Sequence, residues 1–302
     1  MVVQFKLHPG TDSIYEIEKD TIEEVIGRRP PWFVEGQHRD DDAHFAVCPY
    51  CDNPIQLKAI YRRKINSPRP YGSHVGKPVV GFTYDGSLDG FCPYQLKTRP
   101  LQREARREPS QFGKELRELA INQFDRIIHV LKSDLGFKPG PTLCASMLRV
   151  WLLSRGYDYE GAHRRNLPWM IAYLSKAESL YYQYIGGNAV LARAIRERAP
   201  KALISEQGQL GRSEHFVKID MQFLHHKIEE QSDNTLRETI RMRVQDFTET
   251  NDARYAPTLF DETIVMRPER FERLIGLDDN HPNRDHKLIA LAKRVAEEVG
   301  DV

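Results

Sequence analysis

The stretch Ala46-Val47-Cys48-Pro49-Tyr50-Cys51-Asp52-Asn53-Pro54-Ile55 decides how the N-terminal part of this 302-residue chain folds. Two cysteines separated by two residues put two sulfur atoms on one tight turn. Asp52 and Asn53, which follow, are residue types that tolerate the left-handed conformation such a turn often needs. His44-Phe45-Ala46-Val47 before the turn and Ile55-Gln56-Leu57-Lys58-Ala59-Ile60-Tyr61 after it read as strands, so the cysteines stand at the tip of a β-knuckle.

Further along, Phe91-Cys92-Pro93-Tyr94 repeats the Cys-Pro-Tyr of the first fragment. Asp85-Gly86 and Asp89-Gly90 mark turns just before it. Zinc takes about four thiolate or imidazole ligands in a tetrahedral array. Cys48, Cys51 and Cys92 supply three, but Gln95 stands where a second knuckle would carry its second cysteine. The fourth ligand is expected to be His74, in Tyr71-Gly72-Ser73-His74-Val75-Gly76, because flanking glycines let the backbone come close; His44 is the alternative. Cys144 lies in the apolar pattern of a later helix and reads as a small core residue.

This pattern resembles zinc-ribbon modules, over about residues 44–95 only. The resemblance implies a structural Zn2+ that joins two knuckles. Cys-Pro-Tyr-Cys also resembles the glutaredoxin active site, in which the motif opens a helix whose N-terminus lowers the first thiol's pKa. Here Pro54 and a strand pattern follow the motif, and no βαβ pattern surrounds it, which argues for the metal.

The rest of the composition sets bounds. The chain is 40% hydrophobic and 29% charged, and its length suggests two domains. Four cysteines are too few for a disulfide scaffold in a chain of this size. There is no apolar run near ~18 residues, so no membrane span is expected. The start, Met1-Val2-Val3-Gln4-Phe5-Lys6, lacks a signal-peptide pattern, and a cytoplasmic protein is the default.

The net charge of +1 hides an uneven distribution. Residues 1–47 hold ten acidic and five basic side chains, whereas 58–77 hold six basic ones and no acidic one. Tyr61-Arg62-Arg63-Lys64 and Arg69-Pro70-Tyr71 interleave cations with aromatics. Cations neutralise phosphates and tyrosine rings stack on bases, so Arg62, Arg63, Lys64 and Arg69 are candidate contacts to DNA or RNA. The same pattern also fits a solvated basic loop.

The expected fold class is α+β: a β-rich zinc-binding domain over 1–108, then a mainly α-helical domain over 109–302 with a possible β-hairpin. Gln4–His8 reads as a strand and 13–27 as a helix. From 111 onward apolar residues recur at three and four, through Phe112, Leu116, Leu119, Phe124, Ile127, Ile128, Leu131 and Leu135. Further helices are expected from Pro141 to Gly156, from Asn166 through Tyr184, over 188–199, over 267–276 and over 285–299. Residues 215–248 fit either helices or a long hairpin, with a slight lean to the hairpin.

Two weaker constellations remain. His163-Arg164-Arg165 before a helix could hold an anion. Asp278-Asp279-Asn280-His281 and Asp285-His286 could offer metal ligands for a nuclease or other hydrolase. The leading functional expectation is a zinc-containing nucleic-acid-binding or regulatory protein whose helical part mediates assembly. The alternatives are that metal-dependent hydrolase, and a protein-interaction scaffold with a purely structural zinc.

Overall fold

The computed structural model describes residues 1–10, 13–37, 42–61, 69–211 and 213–300. The chain is α+β, strand-rich at its N-terminal end and helical later. It divides into two compact units: 1–100 together with 228–237, and 101–227 together with 238–302. No helix among the described residues is long and apolar enough to cross a membrane.

The first unit opens with a short ribbon of β1 (Gln4–Phe5) and β2 (Tyr15–Glu16), followed by helix α1 (Lys19–Val25). The helix expected over 13–27 is thus shorter. Tyr15 pairs with Phe5 in the ribbon, and their rings lie 5.4 Å apart. Next come β3 (Phe33–Val34), β4 (Ala43–Val47), β5 (Pro54–Lys58) and β6 (Tyr71–His74), an antiparallel sheet in that order. The N-terminal segment docks on it through single bridges, Val2 to Gly72 and Lys6 to Val47. Gly72 lets these segments pack closely, since a Cβ would stand 2.8 Å from Ile55 Cδ1 and 3.1 Å from Val2 Cβ. A short helix α2 (Pro93–Leu96) follows, with Cys92 as its N-cap residue and Pro93 in its first turn, where proline's missing N–H costs nothing.

The second unit starts with α3 (Gln111–Asn122) and α4 (Phe124–Leu135). The apolar period runs through both, yet the helix breaks at Gln123, whose side chain accepts a hydrogen bond from Arg126 Nη1 at 2.8 Å. Ser110 caps α3 by accepting from Gly113 N at 3.2 Å. Gly136, at φ +72°, ends α4, a conformation that favours glycine. Helix α5 (Pro141–Leu153) buries Met147, Leu148 and Trp151 and packs on the last helix of the chain.

Helix α6 (Leu167–Tyr173) is much shorter than its aromatic pattern implies. The chain leaves it for strand β7 (Glu178–Ser179), and Tyr184, the expected end of the helix, is 56% exposed. Helix α7 (Ala189–Arg198) and the small ribbon β8 (Leu203–Ile204) and β9 (Leu210–Gly211) come next.

Residues 219–246 form strands: β10 (Ile219–Glu230) and β11 (Leu236–Asp246) are antiparallel neighbours in the sheet β12-β11-β10-β7, whose edge strand β12 (Thr258–Val265) was not anticipated. Helices α8 (Pro268–Ile275) and α9 (His286–Val299) close the chain near the expected places.

One irregularity in β10 matters. Ile219, Met221 and Phe223 are buried in strict alternation, which would turn His225 inward. His225 instead has φ +55° and is exposed, and the alternation restarts with His226 and Ile228 buried. This bulge-like break re-aims the strand and puts His226 in the core.

Candidate metal centre

Strands β4 and β5 hold the first two thiols. Val47 pairs with Pro54, and the turn between them is closed by Cys48 N donating to Asn53 O at 2.9 Å and Asp52 N donating to Cys48 O at 3.1 Å. Asp52 takes the left-handed conformation that the motif suggests, at φ +60°. The buried Lys6 ammonium pairs with the Asp52 carboxylate, and Gly10 N donates to Asp52 Oδ2 at 3.1 Å. The turn is thereby fixed from outside.

Sheet register delivers the imidazole. Ile55 pairs with His74, so the end of β6 lies beside the knuckle. Cys92 arrives by a different route. The Asn53 side chain donates to Asp85 O at 2.9 Å and accepts from Asp85 N at 2.8 Å. This pair of hydrogen bonds ties the first turn to the 85–92 turn. The sequence signal for it was the Asn after the motif, which reads equally well as a turn former.

The four side chains converge. The ligand atoms of Cys48, Cys51, His74 and Cys92 all lie within 4.8 Å of one another. Cys48 Sγ stands 3.7 Å from Cys92 Sγ, and Cys51 Sγ 3.3 Å from His74 Nε2. A tetrahedral ion with bonds of about 2.3 Å to sulfur and about 2.0–2.1 Å to nitrogen spaces two sulfurs about 3.8 Å apart, and sulfur and nitrogen about 3.5 Å apart. The cluster can therefore hold a metal ion. All three cysteines are buried and free of disulfides.

Electrostatics within the cluster point the same way. Burial works to raise the Cys48 thiol, but hydrogen bonding from Cys51 and Cys92, with the His74 charge, holds it well below the usual thiol range. Hydrogen bonding to Cys48 pushes Cys51 well up, and burial does so for Cys92. Burial lowers His74, and the Cys48 charge overrides it and raises the ring. A divalent cation bound there would supply the charge that lets all three thiols ionise.

No known protein family, curated protein or solved structure matches this chain.

The other expected site residues are placed as follows. His44 pairs with Leu57 in the sheet and packs on the rings of Phe33 and Tyr61, outside the cluster. Cys144 is buried in α5, donating to Pro139 O at 3.4 Å, and burial pushes its thiol up to about 12. Arg62, Arg63 and Lys64 lie outside the described residues; Arg69 is described just before β6. Arg164 pairs with Glu115, and Arg165 with Glu272 at 2.6 Å, so these cations are engaged by carboxylates.

Asp285 caps α9 by accepting from Leu288 N at 3.3 Å, and Asp279 pairs with Arg284 at 3.0 Å. Among the described residues the cysteine–histidine cluster is the group arranged for a metal, and it includes neither Asp279, His281 nor Asp285.

Sequence reading missed a buried polar network in the second unit. Glu238, on β11, accepts from His163 Nε2 at 2.8 Å, from Asn166 Nδ2 at 2.9 Å and from His226 Nε2 at 3.3 Å. The other ring nitrogen of His226 lies 3.1 Å from Tyr159 Oη. All five residues are buried. Asn166 holds the bend before α6 rather than capping it, by accepting from His163 N at 3.0 Å. The inward position of His226 depends on the break at His225.

Proposed function

We propose that Cys48, Cys51, His74 and Cys92 bind one structural Zn2+, and that the chain is a nucleic-acid-binding or regulatory protein whose zinc module carries the basic segment 58–77. The cluster geometry supports the first part. Four protein ligands fill a tetrahedron and leave no open position for substrate, which is the pattern of structural and not catalytic zinc. Three thiolates with one imidazole also select zinc over magnesium or calcium, which prefer oxygen.

The observation that carries the second part is where the ligands sit in sequence. Cys51 and His74 are 23 positions apart and touch the same site. The segment they bracket contains Lys58, Tyr61, Arg62, Arg63, Lys64, Arg69 and Tyr71. Clamped ends limit the entropy that such a segment loses on binding, and its charge and rings suit phosphates and bases.

Fluorescence anisotropy with labelled single-stranded RNA, single-stranded DNA and duplex DNA, each at two salt concentrations, tests this reading. Salt-sensitive binding that weakens at least tenfold in the Arg62→Ala plus Arg63→Ala variant supports it. Affinity unchanged in that variant, or no binding at low salt, contradicts it.

A further inference from the structure

The second unit contains a cleft of about 400 Å³ between α4, the end of α8 and the loop leading into α9. That volume suits a small ligand. Its floor is apolar, formed by Ile128, Leu274 and Leu288.

The rim is cationic in a particular way. The carboxylates nearby are already engaged. Buried Asp125 is gripped by Arg284 through bonds of 2.8 and 3.1 Å. Asp279 lies 3.0 Å from Arg284 and 3.7 Å from Arg126. Asp285 caps α9 and takes Lys138 at 3.3 Å.

Lys132 and His129 also line the cleft from the exposed face of α4, and among the described residues neither has a carboxylate partner. His281 faces the same space. Its Nδ1 accepts from Asn283 N at 3.3 Å, which assigns the ring proton to Nε2 as a donor. Burial, and next the neighbouring Arg284 cation, lower Arg126, while Asp125, Asp279 and Asp278 work to raise it.

We propose that this cleft binds a phosphomonoester attached to an apolar ring, with the ring on Ile128, Leu274 and Leu288 and the phosphate at Lys132, His129 and His281. One ammonium with two imidazoles matches a group that carries up to two negative charges and three strong acceptor oxygens. A carboxylate would leave part of that donor set unused, and an uncharged ring would use only the floor.

Calorimetric titration of phenyl phosphate into the full chain tests the assignment, with inorganic phosphate, benzoate and phenol as comparison probes. Binding is expected for phenyl phosphate and weaker binding for the other three. Lys132→Ala, at an exposed position that leaves the far-UV circular dichroism unchanged, is expected to weaken phenyl phosphate about tenfold or more, the loss of one charge-assisted hydrogen bond. His281→Gln is expected to weaken it too. The proposal is overturned if phenyl phosphate gives no saturable heat, if both variants bind it as the parent does, or if phenol or benzoate binds as tightly.

Discussion

Tyr50 and Tyr94, the aromatic residues of the two Cys-Pro-Tyr fragments, meet edge to face, with ring centroids 5.4 Å apart and planes at 89°. The repeat in the sequence is therefore a contact in the fold. Each ring lies two residues past a cluster cysteine, both are buried, and the Tyr94 hydroxyl accepts from Val3 N at 3.3 Å. Tyr94→Ala is expected to cost about 3–5 kcal/mol, as for other buried aromatics, of which roughly 0.5–1.5 kcal/mol is the ring pair itself. Tyr94→Phe keeps the pair, drops the hydroxyl and costs about 1 kcal/mol. Urea unfolding of the three proteins checks the order.

Metal removal is expected to act on the first unit. Bound zinc contributes on the order of 10 kcal/mol to folding a segment of this kind, and the first unit is built of short strands and turns around the cluster. A strong chelator is expected to open residues 1–100 to trypsin while α3 to α5 stay protected. Time-resolved proteolysis with mass mapping reads this directly. Equal protection of both units with and without chelator would contradict it.

The Glu238 network gives the second unit a pH dependence. Burial works to raise this carboxyl, but the charges of and hydrogen bonds from His163 and His226 hold it well below the usual carboxylate range. A depressed carboxylate stabilises the fold above its unfolded pKa, about 4.3, and that contribution fades as the pH falls toward the folded value. Removing one partner of a buried pair costs about 3–5 kcal/mol, so Glu238→Ala is expected to lose about that much at pH 7. The gap to the parent should narrow at acid pH. A gap constant from pH 7 to pH 3 in denaturant titrations would count against this account.

At the start of α9, Asp285 caps Leu288 N and holds Lys138. Asp285→Ala is expected to cost about 1 kcal/mol, the usual value of a lost cap. Asp285→Asn, which still caps, should cost less. Thermal melts of both variants decide, and a neutral Asp285→Ala would mean the cap carries no weight.

What the sequence made legible was local. The Cys48–Cys51 spacing and the left-handed Asp52 each depend on a few neighbouring residues, and each is found. Residues 215–248 fit helices or a long hairpin, with a slight lean to the hairpin, and strands run over 219–230 and 236–246. What escaped depends on distant partners or on a local break. Asn53 works through Asp85, and Glu238 meets a histidine 75 positions away. The aromatic period after Leu167 continues past the helix, but Ser175 Oγ donates back to Ala172 O at 2.7 Å and the chain turns into β7. His74 was reachable through its flanking glycines; the Ile55–His74 register that delivers it is a property of the sheet.

The central claim is a single tetrahedral zinc, and metal analysis of the purified full chain tests it most directly. Inductively coupled plasma mass spectrometry should find about one zinc per chain, retained by Cys144→Ala and lost or sharply reduced in Cys92→Ala and His74→Ala. A parent chain that carries no zinc after refolding in its presence, or a His74→Ala variant that holds it as tightly as the parent, would contradict the account.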